Sequence, residues 1–261
     1  QIMSLLDKKA YVDESPVMAN RIRSRLSRIF SFGIERGIVE NNPVQNISKY
    51  RKTKAGGKVE NKKNRYYNED EIRELWQFFE TLLEPTSSVL KVILICGQRK
   101  TETMRMRWDN INEGVWTIPA SLAKNHEEHL VMLPDMAIEV LENLKPLTGQ
   151  KQWVFASPKK KNKPLKGVAR VRKNIQKDPN VSDFTPHDLR RTVATYMAKL
   201  GVDRTVLGKI LNHKGLAGDS QVTAIYDRHG YMDEKRTAMN RWASHLRQIL
   251  EDKPAKINEL G

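Results

Sequence analysis

The chain has 261 residues, 39% hydrophobic and 30% charged, a balance that fits a soluble globular protein and excludes a disordered one. This length suits one large domain or two small ones with a substantial core. Lys and Arg number 46 against 31 Asp and Glu, a net charge of +15. Such an excess points to a polyanionic partner, nucleic acid first and a membrane surface second. No segment has the apolar length to span a bilayer and no signal peptide is visible, so no membrane partner is expected.

Ser15 and Pro16 read as a cap and a helix start, followed by Ile22, Leu26, Ile29, Phe30 and Ile34 at helical spacing. Arg21, Arg23, Arg25 and Arg28 decorate this helix. Gly37 is its expected stop, and Asn42-Pro43 is expected to end the unit. The first residue is Gln1 rather than Met. With roughly two helices in about fifty residues, residues 1–48 read as the C-terminal part of a helical domain whose beginning lies upstream. Residues 49–65 read as a basic linker, with eight Lys or Arg, Lys52 and Lys54 among them, against Glu60 alone. A flexible strap of that charge suits a DNA backbone.

A second unit, residues 66–261, opens with Asn68 and Glu71 as a cap-like pair before Ile72, Leu75, Trp76, Phe79 and Leu83. Val89 to Cys96 reads as a buried helix broken at Gly97. Cys96 is the one cysteine. It rules out an intrachain disulfide, argues against a Cys-based zinc site, and fits a buried small hydrophobe in a cytoplasmic protein. A short helix is expected over Thr101 to Trp108. Val115 to Pro119 and Leu130 to Leu133 read as two strands around a polar turn holding Lys124 and His126. His129 reads as structural, with DNA contact as its alternative. Residues 159–177 hold nine basic residues, including Lys160 and Lys161, and no acid. Further helices are expected from Pro186 to near Gly201, from Asp203 to Asn212-His213, and from Asp233 through Ala238, Trp242, Leu246 and Ile249.

Thr185-Pro186-His187-Asp188-Leu189-Arg190-Arg191 is the most telling stretch. Thr185 and Pro186 are a cap and a first-turn proline, and Asp188 three residues on approximates a capping box. His187 and Arg190, three apart at a helix N-terminus, are expected to form a phosphate grip.

With Gly97-Gln98-Arg99-Lys100-Thr101-Glu102, Ile210-Leu211-Asn212-His213 and Tyr226-Asp227-Arg228-His229, the His187–Arg190 box resembles the four boxes of the tyrosine recombinases, also called phage integrases. Asn212 stands where glycine is usual. Glu234-Lys235-Arg236 and Met239-Asn240-Arg241-Trp242 also resemble the prophage and genomic-island subgroup. The resemblance spans about residues 66 to 250. It implies a mainly α fold with a small antiparallel β-sheet, an α+β catalytic domain preceded by part of an all-helical core-binding domain.

By this resemblance Arg99 and Arg190 clamp the scissile phosphate, and Tyr226 attacks it to form a 3′-phosphotyrosine. Lys124 protonates the leaving 5′-hydroxyl, His187 and His213 hydrogen-bond the phosphate, and Glu102 braces the arginines. Lys100, Lys159 and Lys160 compete with Lys124, and Tyr231 competes with Tyr226. The 13 residues from His213 to Tyr226 predict a loose loop. DNA-backbone contacts are expected from Arg21, Arg25, Arg28, Lys52, Lys54, Lys160, Lys161 and Arg191. The implied partners are double-stranded DNA attachment or core sites, a homodimer or tetramer on DNA, and DNA-bending and directionality accessory proteins. No cofactor and no metal are implied. A type IB topoisomerase and a non-catalytic DNA-binding protein on the same fold are the alternatives.

Overall fold

The protein is described by a computed structural model over residues 1–50, 65–168, 171, 175, 184–213 and 231–251. The chain divides into two compact units, Gln1–Asn64 and Arg65–Gly261.

In the first unit, helix α1 (Ile2–Asp7) runs through a π-helical turn at Lys8–Val12 into α2 (Pro16–Glu35). Pro16 occupies the first turn as expected, although the Ser15 side chain makes no capping bond. Gly37, at φ +67, ends the helix region. The buried stripe of α2 contains Ala19 and Gly33, whereas Ile29, Phe32 and Ile34 are exposed. The spacing of the large apolar residues therefore misplaced part of the buried face. The chain does not leave the unit at Pro43. It runs back to Tyr50, whose backbone exchanges two hydrogen bonds with the Asn20 amide, at 2.8 and 2.9 Å. Tyr50 Oη also donates to Asp7 Oδ1 at 2.7 Å.

The second unit starts with α3 (Glu69–Glu80), capped reciprocally by Asn68 and Glu71. Its core wraps α4 (Thr86–Cys96), in which Val89, Leu90 and Val92 through Cys96 are fully buried. Burial pushes the Cys96 thiol up to about 12, which keeps it protonated and inert. Gly97 ends α4 in the left-handed conformation at φ +66. A β-carbon there would lie 2.9 Å from Val193 Cγ1, so both the backbone and the packing require glycine.

After Gly97 come a single-turn helix, α5 (Lys100–Thr103), and a 3₁₀ turn at Trp108–Asn110, in place of one helix from Thr101 to Trp108. The sheet is antiparallel with three strands, β1 (Ile111–Asn112), β2 (Val115–Ile118) and β3 (His129–Met132), in the order β1-β2-β3. β1 was not expected. It is two residues long and joins β2 through Glu113 and Gly114, both at positive φ, a turn suited to a tight hairpin. Ile118 pairs with His129, so the expected polar turn bulges out between them and holds Lys124.

Helices α6 (Asp135–Thr148), α7 (Pro186–Lys199), α8 (Arg204–Ile210) and α9 (Met232–Glu251) complete the described unit. Asp203 caps α8 by accepting from the Thr205 and Val206 amides. Helix α9 begins at Met232, so Asp233 lies in its first turn rather than before it. Ala238, Trp242, Leu246 and Ile249 are buried as its spacing predicts. Trp242 Nε1 donates to the carbonyls of Leu94 and Ile95, and Arg73 Nε donates to Ile249 O at 2.7 Å. The last helix is thereby fastened to the core of its own unit. No helix among the described residues is long and apolar enough to cross a membrane.

Candidate active site

The site is organised by the C-terminal end of α8. A helix end leaves carbonyls without intrahelical partners and carries partial negative charge. Three consecutive residues use those carbonyls to hold side chains from other elements. Ile210 O accepts from Gln98 Nε2 at 2.9 Å and bonds His129 Nε2 at 3.1 Å. Leu211 O accepts from Arg190 Nη2. Asn212 O accepts from Arg99 Nη2 at 2.8 Å. Arg99 and Arg190, which lie 91 residues apart in sequence, are thus gripped by neighbouring peptide units.

Arg190 is 6% exposed and also donates from Nη1 to Gly97 O at 2.9 Å. Burial, with the positive charge of Arg99 added, pushes its pKa down to about 10; Glu102 opposes this. Arg190 therefore remains charged at neutral pH. Each guanidinium has five N–H donors, so the two bonds from Arg190 to carbonyls, and those from Arg99 to one carbonyl and to Glu102, leave others for an anion. Arg99 Nη1 donates to Glu102 Oε1 at 3.1 Å. The same oxygen accepts the backbone N–H of Lys124 at 3.2 Å. Glu102 is 2% exposed, and its Oε2 has no hydrogen-bond partner among the described residues. The carboxylate thus braces Arg99 and ties the Lys124 turn to it.

The α7 start follows the expected cap with one difference. Thr185 Oγ1 accepts from Asp188 N, but it also donates to the Asp188 carboxylate at 2.7 Å, while the Thr185 N–H goes to Tyr67 Oη. The reciprocal capping box is therefore replaced by a hydroxyl–carboxylate bond. His187 and Arg190 do not share one environment. Arg190 turns inward to the carbonyls, and His187 stays exposed. Partial desolvation, then the positive charges of Arg191, Arg190 and Arg99, hold the His187 imidazole below its usual pKa, with Asp188 opposing. Arg191 is ion-paired with Asp188 at 2.8 Å.

Lys124 and His213 are both exposed, at the sheet turn and just after α8. Arg21, Arg25 and Arg28 are exposed on α2, and Lys160 and Lys161 on the segment after Phe155. Lys52, Lys54 and Tyr226 lie outside the described residues, as does the approach to Tyr226. Tyr231, the rival tyrosine, packs partly buried against the core with Lys209 Nζ 5.7 Å from its ring centre.

Sequence reasoning did not single out Gln98 or Asn125. Gln98 is fully buried and bridges the carbonyls of Cys96 and Ile210. A polar residue in an apolar run beside Arg99 is the signal that marks it. His129 is buried and structural. Burial, then the charges of Lys235, Arg190 and Arg99, push it down to about 3, with its bond to Ile210 opposing. It is neutral at physiological pH, and a carbonyl partner requires that Nε2 carry the proton. Its place in the core removes the alternative of DNA contact.

A family model for the phage integrase family matches residues 65–231. Prophage integrase IntA of Escherichia coli K12 is 26% identical over 227 residues, covering 85% of this chain and 53% of the relative. For prophage integrase IntZ of the same strain the figures are 26% over 258 residues, 95% and 60%. The integrase of Shigella phage Sf6 is 28% identical over 236 residues, covering 87% and 58%. The chain thus spans little more than half the length of these relatives. Among solved structures, a lambda integrase (75-356) dimer bound to a COC′ core site superposes with a TM-score of 0.63 at 23% identity, covering 84% of this chain and 80% of that one. That likeness shows a shared fold.

Proposed function

The chain belongs to the phage integrase family, and on that premise we propose that it is a site-specific DNA recombinase that integrates or excises a mobile element through a 3′-phosphotyrosyl intermediate. The observation that carries this reading is the pair Arg99 and Arg190. Two cations are fastened to adjacent carbonyls, and burial together with Arg99 lowers the pKa of Arg190. Such a pair is preorganised for an anion whose charge grows as reaction proceeds, as on the nonbridging oxygens of a pentacoordinate phosphorus.

Tyr226 attacks the phosphorus, a P–O bond to tyrosine forms, and the P–O5′ bond breaks. The phenolic proton passes to His187, whose lowered pKa leaves it neutral and able to accept. Lys124 gives a proton to the departing 5′ oxygen. His213 hydrogen-bonds the phosphate. Rejoining is the reverse, with a new 5′-hydroxyl as nucleophile, so the bond energy is kept and no ATP is consumed. The packed ring of Tyr231 supports Tyr226 as the nucleophile.

The first unit and residues 49–65 serve in this reading as part of a core-binding domain and a basic strap. Arg21, Arg25, Arg28, Lys52, Lys54, Lys160, Lys161 and Arg191 contribute along the DNA backbone. A homodimer or tetramer of protomers on DNA is the assembly in this reading, since exchange of strands between two duplexes needs paired sites, with DNA-bending and directionality proteins as accessories in a bacterial cytoplasm.

The test is covalent capture. Incubated in EDTA with a pool of duplexes nicked near randomised cores, the chain leaves protein attached to DNA 3′ ends. Tyr231→Phe retains the adduct and Tyr226→Phe abolishes it. Full adduct formation by Tyr226→Phe overturns the proposal.

A further inference from the structure

Asn212 adopts φ +47, in the left-handed region where glycine is favoured and asparagine is the best-tolerated substitute. Glycine would satisfy that backbone and present the same carbonyl to Arg99. The asparagine adds a side-chain amide, and that amide both donates and accepts. Asn125 Nδ2 donates to Asn212 Oδ1 at 2.7 Å, and Asn212 Nδ2 donates to Asn125 Oδ1 at 3.1 Å. Asn125 directly follows Lys124, and Asn212 directly precedes His213.

These bonds close a ring. Arg99 bonds the Asn212 carbonyl and the Glu102 carboxylate. Glu102 takes the N–H of Lys124. The next residue, Asn125, returns through its amide to Asn212. Ala123 is buried in the core and anchors the chain just before Lys124, but without the paired amides one backbone N–H among the described residues, that of Lys124 to Glu102, is what ties the turn between Ile118 and His129 to the arginines there. That turn is ten residues long, and His126 within it stands at φ +60. Asn125 also donates to Glu127 Oε2 at 3.1 Å, which fixes its amide plane locally.

We infer that the reciprocal amide pair Asn125–Asn212 is a positioning clasp that fixes the Lys124 turn, and with it the proton donor, against the arginine pair. This rests on the reading of Lys124 as general acid. A general acid must lie within hydrogen-bond reach of the atom it protonates, and a turn anchored at Ala123 but free from Asn125 onward would hold it there only a fraction of the time. Asn125 and Asn212 touch no reacting atom; they act through Lys124.

Asn125→Ala and Asn212→Gly remove the pair, and the glycine keeps the backbone conformation and the carbonyl for Arg99. In the free chain, hydrogen exchange at the Lys124 amide accelerates about tenfold in either variant, because local opening becomes easier. Cleavage is then compared on two duplexes obtained by the covalent capture above, one ordinary and one with sulfur in place of the bridging 5′ oxygen. A thiolate leaves without needing a proton, as the low thiol pKa dictates. Cleavage of the ordinary duplex falls about tenfold, and cleavage of the sulfur duplex stays within about twofold of the parent. The double variant is no worse than either single one, since both delete the same interaction.

Equal losses on both duplexes, unchanged exchange at Lys124, or additive losses each overturn the clasp. Lys124→Ala, run on both duplexes, separates the two layers. If sulfur rescues Lys124→Ala but not the asparagine variants, the general-acid reading stands and the clasp alone fails. If sulfur does not rescue Lys124→Ala, that reading fails and the clasp falls with it.

Discussion

Replacing Arg190 by Met separates what the site does for reaction from what it does for stability. The guanidinium is 6% exposed and bonded to Gly97 O and Leu211 O. Removing it orphans two carbonyls, at about 1–3 kcal/mol each. Against this, the pKa fall from 12.5 to about 10 means that burial and Arg99 burden the charged form by about 3 kcal/mol. An apolar side chain of similar length relieves that burden. The two effects nearly cancel, and the net cost is about 1 kcal/mol, with the scatter of such sums extending to about 3. Urea unfolding of both proteins, with the slope unchanged, measures it. Covalent capture of DNA by the same variant falls about a hundred- to a thousandfold, the scale of losing a charge-stabilising group. A stability loss beyond about 5 kcal/mol would contradict this balance. It would mean that the cation is a net support of the fold rather than a tolerated burden.

His129 makes the protein acid-sensitive. Its folded pKa, about 3, lies below the ordinary 6.5, so below pH 6.5 the unfolded chain binds a proton that the folded chain refuses. Stability is therefore complete above pH 6.5 and falls by about 1.4 kcal/mol per unit between 6.5 and 3. His129→Gln, which keeps a donor for Ile210 O, flattens that slope in urea titrations at pH 7 and 5. Gly97→Ala places a β-carbon 2.9 Å from Val193 Cγ1 at φ +66, which costs about 1–3 kcal/mol by thermal unfolding and displaces a carbonyl that holds Arg190. DNA affinity measured across salt concentrations falls steeply. Lys160→Ala and Lys161→Ala each lower the slope of log K against log salt by about 1, with no change in sequence preference.

Local rules made much of this legible from sequence. The Asn68–Glu71 box, the Asp203 cap, the Gly97 stop and the buried stripe Ala238-Trp242-Leu246-Ile249 each depend on residues within a few positions of one another. Arg99 and Arg190 were recognisable because their motifs are local. What joins them was not. Their anchors are backbone carbonyls at the end of α8, and a carbonyl has no sequence signature. The β1 strand escaped because two residues give no alternation to read. The amphipathic reading of α2 placed Ile29 and Ile34 inward, yet small Ala19 and Gly33 sit within the buried stripe, letting neighbouring chain approach closely. Asn212 was visible as a departure from glycine, but its partner Asn125 lies 87 residues away, and only the fold brings the two amides together.

In the proposed function this chain cuts DNA by transferring a phosphoryl group to one of its own tyrosines. The most direct measurement is mass spectrometry of the peptide left covalently attached to a nicked duplex after nuclease digestion. The expected product is a nucleotide joined through its 3′-phosphate to Tyr226. A 5′-linked adduct, a different modified residue, or strand cleavage with no protein attached would contradict it.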